Sequence, residues 1–269
     1  MNRAFSVSLI INTFNQPDYL DRVLRAVSGQ SRLPDEVLVA DDGSAKETKT
    51  VFDRWRSAQK FRCEHVWQEH RGFRRAHILN QAIALARGDY LIFLDGDTIP
   101  HPRFIADHRL LAGESQFVQG HRALIERRAA AWFGLREFGR DRLNALCRFQ
   151  LRGLKHAGRW PWPLQRIRRD LHGVRGCNLA IWRSDLVRVN GYNEAFVGWG
   201  QEDSELAVRL MNTGVLRRDV RGWALCYHLW HPPASRTNLT TNDGLLEKTV
   251  QGKITRCEQG LDRHLTAVQ

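Results

Sequence analysis

The stretch Tyr90-Leu91-Ile92-Phe93-Leu94-Asp95-Gly96-Asp97 decides how the rest of the chain is read. Its five consecutive apolar residues run straight into charge, which predicts a strand buried on both faces. The end of that strand delivers Asp95 and Asp97, on the same side of a local zigzag around Gly96, to the sheet edge where open α/β structures bind ligands. Carboxylates grouped there suit a hard divalent cation, and such a cation suits a diphosphate. A second acidic pair, Glu202-Asp203, follows the turn Gly198-Trp199-Gly200-Gln201 and opens the helical pattern Leu206, Val208, Leu210, Met211. One of its carboxylates can serve as a base, so the two motifs together predict group transfer from an activated phosphate donor.

Outward from Tyr90, strand and helix alternate. The pattern predicts strands at Val7–Ile11, Glu36–Ala40 and Cys63–Trp67, with helices around Tyr19–Val27, Ala45–Arg56 and Arg75–Ala86, the last stopped by Gly88. Such alternation predicts an α/β fold with a Rossmann-like, mostly parallel sheet flanked by helices. Downstream, a helix is expected at Phe104–Leu111 and a strand within residues 117–127. Further strands are expected at Gly176–Ile181 and Ala224–Trp230, and a last helix around Leu245–Leu261.

With 269 residues the chain can bury one large α/β core, and a single domain is expected over residues 1–269. The first residues pass at once into alternating strand residues, without an apolar run long enough for a signal peptide or membrane span, so a cytoplasmic protein is expected. The five cysteines, at positions 63, 147, 177, 226 and 257, have no CxxC spacing, which predicts buried, inert thiols rather than a disulfide framework or zinc ribbon.

The formal charge of +12 is concentrated in one place: residues 122–175 hold fourteen Lys/Arg against four Asp/Glu. The same segment spaces Trp132, Phe133, Leu135, Phe138, Leu143, Leu146, Phe149 and Leu154 close to a helical period, ahead of Trp160-Pro161-Trp162-Pro163. It reads either as a basic amphipathic insertion lying peripherally on an anionic membrane surface, or as a surface helix packed on the sheet with solvated arginines.

Four stretches in order resemble glycosyltransferase family 2, whose members have the GT-A fold. They are Ser6 to Asn15, Val37 to Ser44 with Asp41-Asp42, Arg87 to Asp97, and Asn190-Gly191-Tyr192-Asn193-Glu194 through Glu202-Asp203-Ser204-Glu205-Leu206. The last is similar to the acceptor-side segment of chondroitin polymerases and β-1,4-galactosyltransferases. The resemblance implies a nucleotide-sugar-binding half over residues 5–100, an acceptor and metal half over 101–235, and a helical tail over 236–269. It also implies an inverting transferase that uses Mn²⁺ or Mg²⁺ to move a sugar from a nucleotide sugar, most often a UDP-sugar, to a saccharide or glycolipid acceptor such as a lipopolysaccharide or capsule intermediate.

The resemblance assigns roles residue by residue. Asp41 and Asp42 sit in the turn that holds uridine, with Thr13 and Asn15 at the edge of the same pocket. Asp97 has the closest metal role, and Asp95 contacts ribose or the metal's water. Asp203 is the base, and Glu202 positions the acceptor with Trp199 and Gly200, the indole stacking on a sugar face. A metal-ligating histidine is implied near Cys226-Tyr227-His228-Leu229-Trp230-His231, where His228 and His231 both qualify. Strand alternation points residues three apart to opposite faces, so one ligand is expected, and Tyr227-His228 is the better match. Arg71, Arg74 and Arg75 around Gly72 are expected near the diphosphate, where guanidinium groups make forked contacts.

Two other classes compete. A nucleotidyltransferase would show a Gly-rich, basic phosphate loop after the first strand, where this chain has Asn12-Thr13-Phe14-Asn15-Gln16-Pro17. A basic polyanion-binding protein fits the pI near 10, but no zinc-finger or RNA-recognition motif accompanies the charge, so no specific nucleic-acid partner is expected.

Overall fold

The computed structural model describes residues 5–134, 150–153 and 156–265. Its first half is the expected alternation: β1 (Val7–Thr13), α1 (Pro17–Ser28), β2 (Glu36–Asp41), α2 (Lys46–Arg56), β3 (Arg62–Trp67), α3 (Arg75–Leu85) and β4 (Tyr90–Asp95). These strands pair in parallel in the order β3-β2-β1-β4. Side-chain alternation explains why the central stretches of β1, β2 and β4 are apolar on both faces. Leu9, Ile11, Val37, Val39, Ile92 and Leu94 pack with Leu20, Val23 and Val27 of α1 and Phe52 of α2. Ile10, Leu38, Ala40, Leu91 and Phe93 face the other way, onto Ile78, Leu79, Ala82 and Ile83 of α3. Each buried Leu, Ile, Val or Phe among these contributes roughly 1.5–3 kcal/mol, so both faces are anchored.

Gly88 has a different role from the expected helix stop. Helix α3 ends at Leu85, and Gly88 lies outside the left-handed region. A Cβ there would come within 2.3 Å of Ser8 Oγ and 2.6 Å of Ser8 N, so the glycine lets the chain enter β4 directly against β1.

The second half continues through β5 (Thr98–Pro100), α4 (Phe104–Leu111), β6 (Gln116–Gln119), β7 (Arg122–Ile125), α5 (Arg127–Ala130), β8 (Leu151–Arg152), β9 (Leu164–Arg168) and β10 (Asn178–Trp182). It then runs through α6 (Arg183–Val189), α7 (Glu202–Asn212), β11 (Leu216–Arg221), β12 (Cys226–His228), α8 (Leu239–Gln251) and α9 (Asp262–Leu265). Strand β10 joins β4 antiparallel and extends the sheet through β6, β11 and β9. A smaller sheet has the order β5-β12-β7-β8.

Several expectations are corrected here. Residues 117–127 supply two strands, one in each sheet. Strand β11 escaped the apolar pattern because four of its six residues are charged; Arg217 is buried there because its guanidinium bonds the carbonyls of Asp170 and His172 and the carboxylate of Asp219. The final strand is shorter than Ala224–Trp230, and the C-terminal helix lies earlier than Leu245–Leu261. Asn242 and Thr249 dock α8 by bonding the Gly200 carbonyl and Glu205, polar anchors that an apolar pattern misses. In the basic segment the described flanks form β7, α5, β8 and β9, with Phe133 in the core. Residues 135–149 and 154, which hold most of the expected amphipathic pattern, lie outside the described residues. Among the described residues, no helix is long and apolar enough to cross a membrane.

Candidate active site

The parallel register puts Thr13 beside Asp41 and Asn12 beside Asp95, so three strand ends converge where strand order reverses around β1. The two loops beyond are laced together: Asn15 takes a left-handed conformation (φ 48°), its N–H donates to Ser44 Oγ, and its Oδ1 accepts from Ala45 N. Asp41 is fully buried, with Oδ1 accepting from Ser44 N at 2.8 Å and Oδ2 lying 2.9 Å from His65 Nε2. Asp42 accepts from Gln68 and from Arg74 N. Burial pushes its pKa up against the lowering effect of those bonds. Both aspartates therefore shape the turn. Thr13 Oγ1 is buried without a hydrogen-bond partner among the described residues and packs against Gly96, where an added Cβ would lie 2.9 Å from it.

Asp97 meets both histidines. Antiparallel pairing of β5 with β12 sets Thr98 opposite His228, and β12 ends there. The chain then bends, with Leu229 N donating to Asp97 O at 2.9 Å, and His231 returns to the same side. His228 Nε2 lies 3.6 Å from Asp97 Oδ1 and His231 Nε2 lies 3.1 Å from Oδ2; the two nitrogens are 3.3 Å apart. The expectation of opposite faces is corrected, because strand alternation stops at His228.

The Nδ1–H of His231 donates to Pro232 O at 2.6 Å, which leaves Nε2 as the ligating atom. One carboxylate and two imidazoles, with ligating atoms all within 4.8 Å of one another, fit a divalent transition ion better than Ca²⁺. Burial would raise the Asp97 carboxyl, but the His231 bond and both imidazoles hold it below its ordinary range. Burial lowers His228 to about 4, which favours the neutral imidazole that a metal needs.

Asp95 turns away from this cluster towards Arg75. At the start of α3 the Arg75 guanidinium is buried among carboxylates: Nη2 is 3.3 Å from Asp95 Oδ1, and Nη1 is 3.1 Å from Glu202 Oε1 and 2.8 Å from Asp203 Oδ1. Its Nε donates to Asn12 Oδ1 at 3.2 Å. This differs from the expected forked contact with a diphosphate. Arg74 is likewise engaged, its guanidinium donating to Glu69 O, and Arg71 pairs with Glu69 at the surface.

Glu202 and Asp203 open α7, where the helix dipole favours carboxylates. Gly198, Gly200 and Gln201 have φ of 78°, 113° and 74°, so the preceding turn depends on left-handed backbone. Asn242 Nδ2 holds it through Gly200 O at 2.9 Å. Trp199 is 40% exposed, with the Arg236 guanidinium 5.2 Å from its ring centroid.

Asp203 Oδ2 accepts from Gly176 N at 2.8 Å. A Cβ at Gly176 would lie 2.2 Å from Asp203 Oδ1 and 2.4 Å from Arg75 Nη2, so only glycine permits this approach. Burial, reinforced by Asp203 and opposed by Arg75, pushes the Glu202 pKa up to about 7. Gly176 and the true partners of Arg75 were missed by sequence reasoning; an isolated glycine just ahead of a strand was the available signal. Cys63, Cys177, Cys226 and Cys257 are free and buried, and burial raises their thiols, in keeping with inert roles.

Comparison with known proteins adds family information to this geometry. Residues 8–163, more than half of the chain, match the family model for glycosyl transferase family 2, and residues 163–231 match the model described as the N-terminal domain of galactosyltransferase. The chain is 28% identical to validoxylamine A glucosyltransferase of Streptomyces hygroscopicus subsp. limoneus, over 78% of this chain and 48% of that protein. It is 25% identical to chondroitin synthase of Pasteurella multocida, over 94% of this chain and 28% of that protein. The chain thus spans about half or less of the length of these relatives.

Among solved structures it resembles the mannosyltransferase PcManGT from Pyrobaculum calidifontis, determined with GDP-Man and Mn²⁺ (TM-score 0.60, 20% identity, 99% of this chain and 69% of that one). It also resembles TarS of S. aureus (TM-score 0.65, 14% identity, 96% of this chain and 41% of that one). The architecture is that of GT-A glycosyltransferases.

Proposed function

We propose, because this chain belongs to glycosyl transferase family 2, that it moves a sugar from a nucleotide sugar to a saccharide or glycolipid acceptor with inversion and with the help of a divalent metal. One observation carries the reading: Arg75 draws Asp95 from the donor-side strand and Glu202-Asp203 from the acceptor-side helix into a single buried cluster, beside the Asp97, His228 and His231 group.

In this reading Asp97, His228 and His231 hold Mn²⁺ or Mg²⁺, which when bound supplies positive charge against the departing nucleoside diphosphate. Asp203 takes the proton from the acceptor hydroxyl as its oxygen bonds to the anomeric carbon and the bond from that carbon to the phosphate oxygen breaks. Glu202 and the half-exposed Trp199 position the acceptor, and Thr13 and Asn15 border the nucleotide at the pocket edge. Uridine is the base implied by the Asp41-Asp42 turn, and guanosine is the alternative suggested by the GDP-Man complex of the structural neighbour.

Relatives named as chondroitin and hyaluronan synthases support a polysaccharide acceptor. Residues 162–169 support a peripheral anionic membrane surface: Trp162 (83% exposed), just before edge strand β9, and Leu164 and Ile167 on that strand are exposed near Arg166, Arg168 and Arg169 in sequence. Sedimentation with vesicles tests that part; equal binding to anionic and neutral lipid rejects it.

The donor site is tested by calorimetry with UDP, GDP and their sugars, with and without Mn²⁺, on wild type and Asp97→Ala. Metal-dependent binding of one nucleotide, abolished by the substitution, supports the reading. Absence of nucleotide binding under every condition rejects it.

A further inference from the structure

We propose that His77, Glu194 and His264 form a second transition-metal site, of the Zn²⁺ class, that ties the C-terminal segment to the helix carrying Arg75. His77 lies in the first turn of α3, Glu194 in the turn that follows Gly191, and His264 on α9. Their ligating atoms all lie within 4.8 Å of one another, with His264 Nε2 2.6 Å from Glu194 Oε1 and the two imidazole rings edge to face at 4.9 Å. No residue is shared with the Asp97 group, and the proposed sugar transfer does not use this cluster.

The surroundings are those of a built site. His77 Nδ1–H donates to Gln68 Oε1 at 2.6 Å, with Gln81 Nε2 also 3.0 Å from that nitrogen, which leaves His77 Nε2 as the ligating atom. Fully buried Asn80 donates to Glu194 Oε1 at 2.8 Å and fixes the carboxylate. Such outer bonds orient metal ligands and set their tautomers.

Four-coordinate Zn²⁺, with bonds of about 2.0–2.2 Å to imidazole nitrogen and carboxylate oxygen, places its ligand atoms roughly 3.3 Å apart. The cluster needs only small side-chain rotations to meet that spacing. A cavity of about 200 Å³ lined by Arg74, Phe196, Val197, Gln259 and Arg263 adjoins it and leaves room for a water or ligand atom in the fourth position. The opposing charges are Arg263, whose Nη1 lies 4.0 Å from Glu194 Oε2 and whose half-exposed side chain is free to turn into solvent, and Arg74, which lines the same cavity but whose guanidinium is held by Glu69 O.

The chemistry separates this site from a plain hydrogen-bonded triad by metal stoichiometry. Full-length chain is stripped with chelator, reloaded with Zn²⁺ or Co²⁺, desalted and analysed for bound metal. The Asp97→Ala protein is expected to retain one equivalent, with visible Co²⁺ bands of a four-coordinate site, and Asp97→Ala/His264→Ala to retain none. Asp97→Ala/His77→Ala provides the same comparison from the opposite side of the site. An Asp97→Ala protein that holds no metal, or one whose content is unchanged by loss of either histidine, overturns the proposal. Failure of nucleotide binding in the wild type would reject the transferase reading and leave this result untouched.

Discussion

The Nη1 of Arg75 lies 2.8 Å from Oδ1 of Asp203, so the carboxylate proposed to accept a proton rests in an ion pair with a buried guanidinium. The same guanidinium reaches Asp95 and Glu202 and bonds Asn12, and thereby joins the ends of β1 and β4 to the start of α7. One cation among three carboxylates makes the cluster most sensitive to the loss of the guanidinium.

Arg75→Ala is expected to destabilise the chain by roughly 3–5 kcal/mol at pH 8, because removal of one partner leaves buried charge uncompensated. Urea denaturation at several pH values checks this. The deficit should shrink towards pH 5 as the carboxylates take up protons, and Arg75→Lys, which keeps the charge without the planar fork, should fall between.

Asp203→Asn is expected to lower transfer by about 10²–10⁴-fold while nucleotide affinity stays that of the wild type. Steady-state rates and calorimetry on the same preparation separate the two effects. A matching fall in nucleotide affinity would move Asp203 to the donor side of the site.

Both His228→Ala and His231→Ala are expected to weaken Mn²⁺-dependent nucleotide binding, since both imidazoles face Asp97. Titration of each variant with Mn²⁺ at fixed nucleotide gives the comparison. Wild-type behaviour in one of them would reduce the ligand set to a single histidine.

Glu202 sets a pH dependence of stability. Its carboxyl is raised from 4.5 to about 7, so the folded state favours the protonated form. The stability it contributes is complete below the unfolded value and is lost as pH rises through the folded one. Glu202→Gln should therefore melt a few degrees higher than wild type at pH 8, with the gap closing towards pH 4.5. Thermal denaturation across that range is the measurement, and a constant gap would contradict the assignment.

Gly176→Ala should disturb the site without touching the metal group, because the new methyl meets both Asp203 and Arg75. Transfer is expected to fall sharply while metal-dependent nucleotide binding persists. An unchanged rate would show that Asp203 can move freely and still act.

The donor-side half was legible because burial on both faces writes an apolar run into the centres of β1, β2 and β4, and the acidic ends of β2 and β4 mark the ligand edge. Strand β11 was hidden because its charged residues are satisfied by partners distant in sequence, such as Arg217 with the carbonyls of Asp170 and His172. The basic helical pattern of residues 135–149 lies outside the described residues.

What the sequence determined by itself was the order of strands and helices from β1 through β4, the sheet edge carrying Asp95 and Asp97, and the acidic helix start at Glu202-Asp203, since each follows from local periodicity and turn chemistry. Tertiary structure alone decided that His228 and His231 share one side of Asp97, that Arg75 sits among Asp95, Glu202 and Asp203, and that Gly176 touches Asp203. Those relations depend on where a strand stops and how distant segments pack, and a side chain's partners across the fold leave no period in its own neighbourhood.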